Sequence, residues 1–167
     1  MNKFFISLTN MLRLQGGPQE FSSSWLLTLG LIAVYLLQNL VIGTQFDDEN
    51  VAAKSILLIS LQVVVLAGLL YWFRHTERFS QTLSALAAVG IVFNFIAWAL
   101  LQLVNPEINQ PALGLAWIAI NYIWSPFVDA NIYRHALSVT FSIGVLIAVV
   151  TLAVSYVLIE MLFLGGS

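Results

Sequence analysis

Ser55–Phe73 reads SILLISLQVVVLAGLLYWF, nineteen residues with no charge and one amide, Gln62. Crossing about 30 Å of hydrocarbon at 1.5 Å per residue takes roughly 20 apolar residues in a helix, so this stretch is long enough to span a bilayer. A transmembrane strand would alternate apolar and polar positions, whereas Leu57–Leu70 is nearly uniformly apolar. A closed barrel is therefore excluded.

Working outward, Trp25–Gly43, Thr82–Val104 and Leu137–Leu164 have the same character. A further stretch begins at Pro111 and runs through Leu113, Trp117, Ile118 and Trp124, with Asp129 and Arg134 marking its polar end. Pro126 interrupts it, because proline removes an intrahelical hydrogen bond and clashes with the preceding turn. The helix either bends there or stops. Bending is favoured, since neighbouring membrane helices satisfy the freed carbonyl. Of 167 residues, 60% are hydrophobic and 8% charged, with mean hydropathy +0.92. That leaves too little polar surface to cover a soluble domain. The expected fold class is an all-α integral membrane protein: a bundle of five transmembrane helices, preceded by a short amphipathic interfacial helix. The spans are expected near 25–43, 55–73, 82–104, 112–134 and 137–164, in one domain over 18–167.

The N-terminal helix is read within 1–17. Phe4, Leu8, Met11 and Leu12 fall at i, i+4, i+7 and i+8, opposite Lys3, Asn10 and Arg13. Gly16, Gly17 and Pro18 are expected to end it and turn the chain toward the first span. Thr9 and Asn10 break the apolar run and no small-residue cleavage site precedes Gly16, so a removable signal peptide is not expected.

Lys and Arg in short loops accumulate on the cytoplasmic side of a membrane. Lys3 and Arg13 precede the first span, Arg74 and Arg78 separate the second from the third, and Arg134 separates the fourth from the fifth. Lys54 falls on the other side, outnumbered by Asp47, Asp48 and Glu49, and Glu107 stands in the second outer loop. The N-terminus is expected inside, and the C-terminus outside.

Chemistry is sparse. The absence of cysteine rules out disulfides, thiolate catalysis and iron–sulfur clusters. His75 and His135 each sit beside an arginine at the inner surface, with no carboxylates at ligand spacing, so neither a metal nor a cofactor is expected. There is no nucleophile motif and no glycine-rich phosphate loop, and an enzyme is not expected. Seven of the eight carboxylates are placed outside the apolar stretches, the exception being Glu160 near an outer end, within reach of water.

Amides in the second, third and fourth spans can be compared by depth. From the outer ends, Gln62 is about 10 Å deep, Asn121 about 14 Å and Asn94 about 15 Å, which would let them meet as one hydrogen-bonded cluster. Its role would be to hold helices together or, alternatively, to line a polar pathway. Small residues at i, i+4 spacing, Ser84 with Ala88, Ser138 with Ser142 and Gly144 with Ala148, favour close helix packing. Nothing points to nucleic acid.

Three stretches together carry a resemblance: Leu12-Arg13-Leu14-Gln15-Gly16-Gly17-Pro18-Gln19-Glu20, then Arg78-Phe79-Ser80-Gln81-Thr82-Leu83-Ser84-Ala85-Leu86, then Trp124 followed by Ile132-Tyr133-Arg134-His135-Ala136-Leu137. In order and spacing they resemble bacterial members of the Yip family, the Ypt/Rab-interacting multispanning membrane proteins. The resemblance implies a five-helix bundle in the bacterial inner membrane, with a cytoplasmic N-terminus and a periplasmic C-terminus. The trafficking role of eukaryotic relatives is not carried over. Arg13, Arg74, Arg78, Gln81, Arg134 and His135 would then form a mildly basic cytoplasmic face, suited to anionic headgroups or an acidic partner. The leading expectation is a non-enzymatic protein that organises or assists partner proteins or lipids, its partners being membrane lipids and another membrane protein or a second copy. The alternative is a small-solute or ion transporter, or the membrane subunit of a transport complex. No inverted repeat supports an independent transporter.

Overall fold

The computed structural model describes residues 2–44, 50–103 and 111–164. Asp47, Asp48, Glu49, Glu107 and the terminal Gly165, Gly166 and Ser167 lie outside the described residues. The helices are α1 (Asn2–Leu12), α2 (Trp25–Gly43), α3 (Val51–Trp72), α4 (Phe79–Gln102), α5 (Pro111–Ile118), α6 (Ser125–Leu137) and α7 (Phe141–Ile159). Among the described residues there is no strand. A π-helical turn, Ala119–Trp124, joins α5 to α6, so Pro111–Leu137 is one continuous helix. Five helices are consequently long and apolar enough to cross a membrane. The chain is an all-α, multi-pass membrane protein.

Pro126 lies in the first turn of α6, directly after the π turn. A proline ring collides with the carbonyl four residues back, and the wider π turn opens the backbone there, so the fourth span continues instead of stopping. It also ends later than the sequence indicates. Arg134 and His135 form the last turn of α6, and the reversal into α7 is made by Ser138–Thr140, so Leu137 closes the fourth span and Phe141 opens the fifth.

Alternating direction along the chain brings Leu12, Trp25, Trp72, Phe79, Leu137 and Phe141 to one end of the bundle, the arginine end. Three helices finish there in the same way. Leu14, Arg74 and Ser138 take left-handed backbone angles, φ 62°, 61° and 57°. The next residue's amide then donates five residues back: Gln15 to the Asn10 carbonyl at 2.9 Å, His75 to Leu70 at 2.8 Å and Val139 to Arg134 at 3.0 Å. These are Schellman-type caps built without the usual glycine, each costing on the order of 1 kcal/mol. Thus α1 ends before Gly16 and Gly17, because Leu14 makes the turn.

Residues 82–89 of α4 are buried all round, and α6 buries Val128, Ala130, Asn131, Ile132, Tyr133, Ala136 and Leu137. Met11 of α1 is fully buried, and Phe4, Leu8 and Leu12 pack on the same core. The apolar face of α1 is therefore packed on the protein. Outward, α1 shows the large apolar side chains of Phe5 and Ile6, with Lys3 and Thr9 beside them. Thr28, buried where α2 crosses α4, bonds the Ser84 hydroxyl at 2.8 Å and donates to the Ser24 carbonyl at 3.0 Å. Away from this core the spans expose large apolar side chains, Leu26 by 84% and Trp72 by 82%. Surface of that kind is stable only in lipid or against another apolar chain.

Candidate functional site

The three stretches that carry the sequence resemblance converge at the arginine end. Gly16, Gly17 and Pro18 are buried there. The Asn131 amide donates to the Gly16 carbonyl at 2.8 Å, across 115 residues of sequence. Gln19 donates to the His135 carbonyl at 3.0 Å, and Gln81 donates to the Phe21 carbonyl at 3.1 Å. A side chain at Gly17 would collide with the His135 ring, its Cβ falling 2.8 Å from His135 Cβ and Cγ. Glycine is required there by the close approach.

Arg78 closes the arrangement. One guanidinium nitrogen donates to the carbonyls of His135 and Ala136, both at 3.1 Å, and to the Ser138 hydroxyl at 3.0 Å. These carbonyls end α6 and have no intrahelical partner, and a cation at a helix C-terminus also meets the negative end of its dipole. Glu77 stands 3.6 Å from Arg78 and 3.5 Å from His75.

The six residues expected to form a basic face therefore divide. Arg78, Gln81 and His135 are occupied in joining the N-terminal segment, α4 and α6. The side chains of Arg13, Arg74 and Arg134, together with Lys3, form no ion pair or hydrogen bond among the described residues. Lys3, Arg13 and Arg74 are exposed and Arg134 is half-buried. Four cations are thus free at the end where α1 presents Phe5 and Ile6. Lys54 is at the opposite end, over the ring of Phe163 at 5.8 Å.

The three amides are not gathered. Asn121 donates to the Trp117 carbonyl of its own helix at 2.9 Å. Asn94 lines a cavity of about 310 Å³ between α2 and α4 with Gln38 and Trp98. Gln62 lines another, of about 180 Å³, with Tyr35, Asp129, Tyr133, Thr151 and Ser155. Equal depth brought none of them together, because they lie on different sides of their helices.

Asp129 falls within the expected 112–134 span, where with Arg134 it reads as the span's polar end. In the structure it sits eight residues before the end of α6, about 12 Å inside the bundle. It belongs to a span, and so does not counterbalance the bases at the arginine end. Its i, i+4 relation to Tyr133 was the available signal that both share one helix face. Glu160, the carboxylate singled out from sequence, is exposed at the far end. Among the described residues no group of three or more His, Cys, Asp or Glu could hold a metal ion. Comparison with protein-family models, curated proteins and solved structures finds no match to this chain.

Proposed function

We propose that this is a non-enzymatic, Yip-like protein of the bacterial inner membrane, with its arginine end in the cytoplasm, that organises lipids or a partner protein there. The observation that carries the reading is the set of four unpaired cations, Lys3, Arg13, Arg74 and Arg134, beside the exposed Phe5 and Ile6 of α1. An in-plane helix with apolar side chains at the boundary and bases around it suits an anionic headgroup layer. The same surface would hold an acidic protein segment. Arg74 occupies a left-handed cap position that glycine would fill at lower cost.

Protein extracted in native nanodiscs is expected to carry phosphatidylglycerol and cardiolipin above their bulk fraction. At about 1 kcal/mol per base near the surface, the triple variant Arg13→Gln, Arg74→Gln, Arg134→Gln loses roughly two orders of magnitude in that preference. Arg74→Gly alone raises thermal stability by about 0.5 kcal/mol while weakening lipid retention. Equal anionic lipid around wild type and triple variant would defeat the reading.

A further inference from the structure

At mid-depth in the bundle, four spans turn oxygen atoms toward one cavity. Tyr35 on α2 is ten residues from the start of its helix, Gln62 on α3 eleven and Thr151 on α7 ten. At 1.5 Å per residue each is about 15 to 17 Å inside, near the centre of a bilayer. Asp129 and Tyr133 enter from α6, and Ser155 from α7, into a space of about 180 Å³. Gln62 and Thr151 line the cavity together with Tyr133. Ser155 gives its proton to the Thr151 carbonyl at 2.7 Å, which leaves its hydroxyl lone pairs for the cavity. Tyr35 is seated by Gly90 of α4, whose missing side chain leaves room for the ring, 2.8 Å from where a Cβ would stand.

The Asp129 carboxyl has no ion pair and no hydrogen bond from another described side chain. The ionisable groups facing it are Tyr35 and Tyr133. Among the described residues no lysine, arginine or histidine lines the cavity, and α3 and α7 contribute no ionisable group to it. A lone carboxylate at that depth is strongly disfavoured and needs a compensating positive charge.

We propose that this cavity is a binding site for one monovalent metal cation of the Na⁺ type. The donors are all oxygen: a carboxylate, a side-chain amide, two phenols and two hydroxyls. That set suits a hard cation, and the absence of imidazole and sulfur disfavours zinc or copper. A single negative charge neutralises a monovalent ion, whereas a divalent one would leave net charge in apolar surroundings. The volume admits the ion with a few waters, each taking about 30 Å³. The site is independent of the lipid-binding surface at the arginine end and stands or falls separately from it.

The test is equilibrium binding of radioactive ²²Na⁺ to the full chain in nanodiscs of uncharged lipid, in mildly alkaline buffer with excess choline. Wild type is expected to bind one Na⁺ per chain, saturably, displaced by unlabelled Na⁺ and not by choline or by equal Ca²⁺. Asp129→Asn abolishes binding while eluting as a monodisperse species, and Gln62→Leu and Thr151→Val each weaken it about tenfold or more. Absence of saturable Na⁺ binding in wild type would overturn the proposal, since a proton then neutralises the carboxyl. Displacement by equal Ca²⁺, or unchanged binding in Asp129→Asn, would also overturn it. Should Asp129→Asn aggregate, Thr151→Val decides: weakened binding supports the site, and undiminished binding removes it.

Discussion

Arg78→Leu is expected to destabilise the bundle by about 3 kcal/mol, measured as the shift in its unfolding midpoint on titration with denaturing detergent. The guanidinium is the side-chain partner of the Ala136 carbonyl, shares the His135 carbonyl with Gln19 and also holds the Ser138 hydroxyl. Ala136 is fully buried, so water does not replace the lost donor at its carbonyl. The charge at the end of α6 is lost as well, and with it the favourable interaction with the helix dipole. The Arg13→Leu variant is the control: Arg13 is exposed and unpaired, and its loss should stay within about 0.5 kcal/mol. Arg78→Lys should fall between, because it keeps the charge at the end of α6 but as a compact, more strongly hydrated ammonium in place of the planar guanidinium.

Gly144→Ala should cost a similar amount, about 3 kcal/mol in the same titration. α7 meets α6 at this glycine so closely that an added Cβ collides with the Ala130 carbonyl and approaches the Arg134 amide. Both are backbone atoms of a rigid helix and have no rotamer in which to withdraw. One helix must back away from the other, loosening the most extensive helix pair in the bundle. Gly30, Gly68 and Gly114 have nothing within 4 Å of where an added Cβ would stand and provide the comparison. At those three sites alanine should be neutral or stabilising by up to about 1 kcal/mol, as expected for glycine in an open helix interior.

The five spans were legible because length and uniform apolarity are properties of a segment alone, and Ser55–Phe73 needs no neighbour to be recognised. The sorting of bases was legible for the same reason: Lys3, Arg13, Arg74, Arg78 and Arg134 follow from chain direction once the spans are known. Helix faces were harder. Phe4, Leu8, Met11 and Leu12 do form one face, but a hydrophobic stripe suits a protein core as well as it suits lipid, and here it meets α4 and α6. Depth alone misled for Gln62, Asn94 and Asn121, since a shared level says nothing about rotation around each helix axis. Asp129 falls inside the expected fourth span, but beside Arg134 it reads as that span's polar end; the helix runs on to Leu137, and the π turn before Pro126 absorbs the proline clash, so the carboxylate is set inside the bundle. Ser138 likewise marked no boundary from sequence, because a left-handed cap is usually announced by glycine or asparagine.

The central claim is that five crossings put the α1 helix, the Arg74–Arg78 turn and the Ser138–Thr140 turn on one side of the membrane. The chain has no cysteine, so single substitutions report without background. Thr9→Cys, Thr76→Cys and Ser138→Cys, with Leu103→Cys for the far end, should be exposed to a membrane-impermeant maleimide applied to intact bacterial cells. Labelling of Leu103→Cys alone, with the other three reacting only after the membrane is permeabilised, is the predicted result. Labelling of any of the three from outside while Leu103→Cys stays protected, or of Thr76→Cys and Ser138→Cys from opposite sides, would contradict the account.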